Sequence, residues 1–201
     1  VTITIVDDDI PSITLSSSTA SVIENSGTTV TLTATSSQAA YEDIVITLVT
    51  SGTATNGTDY SSLGGETITI SAGATTGTIT GTPTDDSTYE GNETATVDIS
   101  TVSGGSAIES GTQSVSITIV ENESAPVITL STSNSTTVAE NASSSDDIYL
   151  TATSSVKAYE DIIVTLSTSG TATDQTDYSI DSGAAVGGQL ITIPAGQTTA
   201  N

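Results

Sequence analysis

Four carboxylates stand within nine residues in the segment DDSTYEGNE, at 85–93: Asp85, Asp86, Glu90 and Glu93. The whole chain has one cation, Lys157, against 24 Asp and Glu, for a formal charge of −23 over 201 residues. Two unit charges 4 Å apart repel by about 4 kcal/mol at an effective dielectric of 20. Two kinds of chemistry draw carboxylates together in this way. Paired acids cleave glycosides, but such sites sit in clefts lined with aromatic rings, and this chain has neither Trp nor Phe. A serine nucleophile would lack a base, since there is no His and the lone Lys is isolated. The reading is therefore not an enzyme. What remains is the binding of a hard cation. Without His or Cys, the donors left are oxygens, which suit calcium or magnesium rather than zinc, copper or iron–sulfur centres. The bland alternative is a solvated acidic face that serves solubility.

Other acids recur at matching places. Asp7, Asp8 and Asp9 follow VTITIV, and Glu121, Asn122 and Glu123 follow VSITIV. Glu24 and Glu140 belong to paired VIEN and VAEN segments, and Asp59 and Asp177 to paired TDY triplets. Repetition at the same places, with no cations to balance the charge, favours ion binding over a merely solvated face. None of these segments has the alternating acids, central Gly and final Glu of an EF-hand loop. The charge also excludes nucleic acid and anionic lipid as partners, because both select clustered Lys and Arg. No apolar run is long enough to span a membrane, so no direct insertion is expected. Val1 reads as an internal cut rather than a native start.

These acids have to be positioned by strands. Thr, Val and Ile recur in short alternating runs, which argues against disorder despite the charge. Candidate strands lie near 12–16, 28–35, 43–49, 66–71, 76–83, 93–100 and 114–120. TVTLTAT puts Val30, Leu32 and Ala34 on one face; ATVDIS does the same for Ala95, Val97 and Ile99, and VSITI for Val115, Ile117 and Ile119. Period-two alternation punctuated by Gly, Asn and Ser predicts an all-β fold of antiparallel sandwiches. Tyr60 and Tyr178 read as packing residues at a loop base, and the two AYED segments as turns into the strands that follow.

The pattern then repeats. LTATSS at 32–37 returns at 150–155, AYED at 40–43 returns at 158–161, and SGTAT at 51–55 returns at 169–173. The offset grows from 114 to 118 residues and reaches 123 at ITI (68–70 and 191–193). A period of this length is one domain, not a solenoid turn. Residues 1–9 correspond to the terminal strand of a preceding repeat. Residues 10–123 form a complete sandwich, and residues 124–201 a second one that is C-terminally incomplete. The chain is then either a window on a longer array or completed by strand exchange between copies, the window being favoured because more than one strand is missing. Lys157 aligns with Ala39, which argues against a Lys-based cross-link common to both repeats.

The order VIENSG, SGTATNGTDY, an acidic segment DD…E..E and a last strand ending in acids resembles the Calx-β domain. The likeness covers 10–123 and resumes through 124–201. It implies seven-stranded, Ig-like sandwiches, often in tandem, as in sodium–calcium exchangers and in large bacterial extracellular adhesins and matrix proteins. By position it implies a Ca2+ site drawn from Glu24, Asp59, Asp85, Asp86, Glu90, Glu93, Glu121, Asn122 and Glu123. Asn122 stands where the family pattern has an acid. Ala95 and Val97 stand where a Phe is common, which bears on core packing. The second repeat keeps Glu140 and Asp177 but has no acidic turn with which to complete a site. The function so implied is a calcium-stabilised structural segment of a secreted or cell-surface adhesin or fibre, with neighbouring repeats, and other copies in a fibre, as partners. A calcium-sensing domain pair and a passive acidic spacer are the alternatives.

Overall fold

The structure is a computed structural model that describes residues 1–3, 8–61, 66–133, 137, 139–140, 148–173, 176–178 and 189–201. Of the expected terminal strand at 1–9, residues 4–7 lie outside the described residues. The chain divides into two compact units, 1–86 with 91–122, and 87–90 with 123–201. Among the described residues there is no α-helix, and no helix is long and apolar enough to cross a membrane.

In the first unit each of the seven runs anticipated from alternation is a strand. These are β1 (Ser12–Ser17), β3 (Val30–Ser36), β4 (Ile44–Gly52), β5 (Thr67–Ile70), β6 (Thr76–Gly81), β8 (Glu93–Ser103) and β10 (Ser114–Val120). Two short strands join them, β2 (Ser21–Ile23) and β9 (Ile108–Glu109). One sheet has the order β6-β3-β1-β9 and the other β2-β10-β8-β4-β5. The main ladders are antiparallel, as expected. The short strands β2 and β9 instead run parallel to β10 and β1. A single stretch of chain thus contributes β1 to one sheet and β2 to the other, a crossover that residue alternation does not reveal.

The inward faces are those the pattern indicated. Leu15 stands opposite Ala34, Leu32 opposite Ile79, Ile46 opposite Ile68, and Ala95 opposite Ile117. Ile13, Ala34, Ile44, Ile46, Ile68 and Ile70 are fully enclosed, and Val115 is partly buried against the same core. Each fully buried Ile contributes about 1.5–3 kcal/mol of apolar transfer. In β8 the inward spacing slips, because Ile99 and Val102 are three apart. A bulge corrects it: Thr47 faces Thr101 and Leu48 faces Ile99, leaving Ser100 as the extra residue. Beyond the end of β8, Gly104 has φ 84°, and a Cβ there would meet the Asp43 carbonyl oxygen at 2.1 Å. Only glycine allows the two backbones to come so close.

The second unit has its own small core of Ala152, Ile191 and Ile193, with Ile128, Leu150, Ile162 and Val164 against it. Its strands are β7 (Thr88–Tyr89), β11 (Ile128–Thr132), β12 (Leu150–Ser154), β13 (Lys157–Ala158), β14 (Ile162–Thr165), β15 (Leu190–Ile193) and β16 (Thr199–Ala200). They pair as β11-β12-β16, β14-β15 and a two-residue parallel pair of β7 with β13. Register repeats between the units: Leu130 faces Ala152 as Leu15 faces Ala34.

The repeated motifs repeat their hydrogen bonds as well. Asp43 Oδ1 accepts from the Ala72 N–H and Asp161 Oδ1 from the Ala195 N–H, each at 2.8 Å. The AYED aspartates therefore anchor a later turn as well as introducing their own strand. Asp59 and Asp177 likewise accept from the N–H groups of Thr55 (2.5 Å) and Thr173 (2.7 Å), the same bond in both TDY loops.

Candidate metal centre

The acids converge because strand register carries them to one edge of the first sandwich. β2 runs parallel to β10, with Ile23 opposite Val120. The next residue on each strand is an acid, Glu24 or Glu121. Glu24 opens a single 3-10 turn, Glu24–Ser26, that ends at Gly27 in the left-handed region with φ 61°. Glu24 is only 6% exposed. β8 runs antiparallel to β10, and Glu93 at its start faces Ile119. The beginning of β8 and the end of β10 therefore share one end of the sheet, and Glu93 and Glu121 share it with them.

Glu121 is fixed by backbone. Its Oε2 accepts from the Gly91 N–H and its Oε1 from the Asn122 N–H, both at 2.9 Å, and its own N–H donates to Asn92 Oδ1 at 3.1 Å. Asn92 thus ties the last strand to the EGNE turn. In the sequence it is only a polar turn residue, and no signal there foretold this bond. Asp59 is 8% exposed. Besides the Thr55 bond to its carboxylate, its carbonyl accepts from the Thr84 N–H at 2.9 Å, and the Ser61 N–H donates to the Thr82 carbonyl at 2.7 Å. The TDY loop is therefore laced to the segment that leads into the acidic turn.

Two groups of three carboxylates result: Glu24 with Glu121 and Glu123, and Asp59 with Glu90 and Glu93. The third member of each is delivered by the chain itself, Glu123 two residues after Glu121 and Glu90 three before Glu93. Within each group one oxygen from every residue lies within 4.8 Å of the others. Calcium binds oxygen at about 2.3–2.6 Å, so two oxygens on one ion lie no more than about 5 Å apart. Both donor sets, all carboxylate and compactly placed, fit one hard divalent ion each. An ion would supply the positive charge that the chain lacks and link loop ends that otherwise repel.

Asp85 and Asp86 are exposed and fall outside both groups. Asn122 lies in the turn between Glu121 and Glu123. In the second unit Glu140 and Asp177 are exposed, and among the described residues no further group of three forms. Of the earlier acids, Asp8 and Asp9 are exposed, and Asp7 lies outside the described residues.

Beside the second group sits a polar cluster that sequence reasoning passed over. Glu66 Oε1 accepts from Asn56 Nδ2 at 2.9 Å and from Thr50 Oγ1 at 3.4 Å, and Glu66 takes a positive φ of 57°. Tyr60 is buried next to it, packed at the loop base as its position suggested. Burial pushes its phenol pKa above the ordinary value; the nearby carboxylates of Glu66 and Asp59 add to the rise, and a hydrogen bond with Thr50 opposes it.

The sequence profile of the Calx-beta domain matches residues 7–124. No curated protein sequence matches the chain. Among solved structures it is similar to the apo-form Calx CBD1 domain at 18% identity, covering 55% of this chain and 98% of that one, with a TM-score of 0.45. It is also similar to CBD12 from CALX1.2 at 13% identity, covering 94% of this chain and 71% of that one, with a TM-score of 0.47. A third similar structure is the calcium binding domain CBD12 of CALX1.1, at 12% identity, covering 89% of this chain and 69% of that one, with a TM-score of 0.42. Identities this low assign no role to any residue. The profile match spans more than half of the sequence, and the chain belongs to the Calx-beta domain family.

Proposed function

We propose that the chain is a calcium-stabilised structural segment of a secreted or cell-surface adhesin or fibre protein. The observation that carries this reading is the pair of three-carboxylate groups, each compact enough for a single ion. A soluble acidic surface has no reason to gather charges. Repulsion spreads them, and a cation held in the groups would offset the cost of bringing them together. Calcium is the ion of choice because it accepts six to eight oxygens in flexible geometry, and loops from several strands can meet that demand together with water.

Glu24, Glu121 and Glu123 would hold one ion and Asp59, Glu90 and Glu93 another, with Asn122 adding a carbonyl oxygen to the first. Bound charge would pin the 3-10 turn, the TDY loop, the EGNE turn and the end of β10 to each other. Repeats stiffened in this way suit a fibre that must keep its reach outside the cell, where calcium is plentiful.

Calorimetric titration with calcium, combined with melting curves in calcium and in chelator, tests the reading. Saturable binding and a higher melting temperature in calcium are expected, since an ion that binds only the folded form stabilises it by mass action. Absence of heat, together with superimposable melts, would leave a passive acidic spacer.

A further inference from the structure

Between the two sheets of the first sandwich lies a cavity of about 40 Å³. Val22, Leu32, Tyr60, Ala95, Val97 and Ile117 are among the residues that line it. Ala95 and Val97 are almost fully buried, while the half-buried Thr82 and Pro83 also line the void, so it reaches into the core and is partly open. Its origin is legible in the side chains: β8 offers the small Ala95 where two facing sheets need bulk. The one aromatic ring in the wall is that of Tyr60, whose hydroxyl bonds Thr50 and so leaves ring carbon for the cavity.

We propose that this cavity is a binding site for a small, compact apolar molecule, a noble-gas atom or a short alkane, separate from the carboxylate groups. Two properties fix the class of guest. The lining is almost wholly carbon and offers too few of the two to four polar partners a buried water needs, so the cavity favours a guest without hydrogen-bonding groups. Its size sets the second limit. It is a few times the roughly 10–15 Å³ that one water requires, and far below the 300–1,000 Å³ of pockets that take drug-sized ligands. A guest of a few atoms fits; a fatty acid or an aromatic drug does not. Occupancy replaces contacts that the wall atoms lack across the void and favours the folded form.

The test uses xenon as the probe on the intact chain with labelled Ile, Leu and Val methyl groups. Saturable shifts confined to the methyls of the lining Val22, Val30, Leu32, Val97, Ile117 and Ile119, and their loss in Ala95→Leu, are expected. Shifts spread evenly over the surface, no saturation, or the same response in a folded Ala95→Leu would overturn the proposal. If Ala95→Leu does not fold, xenon-pressurised crystals of the unaltered protein decide: density between Ala95 and Leu32 supports the site, and density only elsewhere refutes it. Calcium is kept constant throughout, so failure here leaves the carboxylate reading untouched.

Discussion

Replacing Glu93 by Gln keeps the size of the side chain and removes one charge from the group it forms with Asp59 and Glu90. In chelator the loss is a relief. At the 4.8 Å limit of that group each carboxylate pair repels by about 3.5 kcal/mol at an effective dielectric of 20. Glu90 and Glu93 are only partly buried, so water screens them, and about 1 kcal/mol per pair is the more realistic figure. Two pairs vanish, a gain of about 2 kcal/mol. For a unit of this size each kcal/mol moves the melting temperature by about 4 °C, so Glu93→Gln should melt about 8 °C higher than the unaltered protein in chelator. Calcium reverses the order. At a free concentration a hundred times its dissociation constant an ion adds about 2.7 kcal/mol, or about 11 °C on the same scale. The variant, with a ligand missing, should recover only a minor part of this. Differential scanning calorimetry of both proteins in chelator and in saturating calcium reads the crossing directly. Two results would refute the reasoning: a variant that melts at or below the parent in chelator, or one that gains as much from calcium as the parent does.

Gly104→Ala should destabilise the first unit by about 2–4 kcal/mol, measured by urea unfolding, because a Cβ would press on the Asp43 carbonyl oxygen in a left-handed backbone. Tyr60 gives a pH signature. Its folded pKa is raised above the unfolded value near 10, so the folded form holds the phenolic proton more tightly. The stability this contributes is fully present below about pH 10 and is lost as pH rises from there through the folded pKa. Tyr60→Phe should flatten that alkaline loss. Calcium, by neutralising Asp59, should lower the ionisation midpoint of Tyr60 in an absorbance titration; an unchanged midpoint would argue against an ion beside that loop.

Long strands were legible because alternation over six or more residues is a signal that tertiary context rarely reverses. Val30, Leu32 and Ala34 point inward in the structure as in the pattern. The short strands were not legible, and the physical reason is length. β2 has three residues and β9 two, too few for any period. Yet β2 is the strand that sets Glu24 beside Glu121, through pairing with residues nearly a hundred positions away. Sequence showed that acids recur at strand ends; it had no means of showing which ends meet. For the same reason it could not separate Asp85 and Asp86 from Glu90 and Glu93, four acids of one segment. The turn at Gly91, with φ 80°, and the bonds that Glu121 accepts from the Gly91 N–H and donates to Asn92 Oδ1 hold the second pair at the sheet edge, while the first pair is exposed.

That division also explains how so acidic a rim folds. The backbone donors at Gly91, Asn122 and Thr55 are committed to Glu121 and Asp59 by local turns, so two of the six gathered carboxylates are held by hydrogen bonds formed whether or not an ion is present. Bonds from N–H groups to a charged acceptor contribute about 1.5–3 kcal/mol each, comparable with the repulsion at half-exposed positions. Folding therefore need not wait for metal. The geometry is set by strand register and turn bonds, and an ion arriving later would meet oxygens already in place, which would limit the ordering cost of binding.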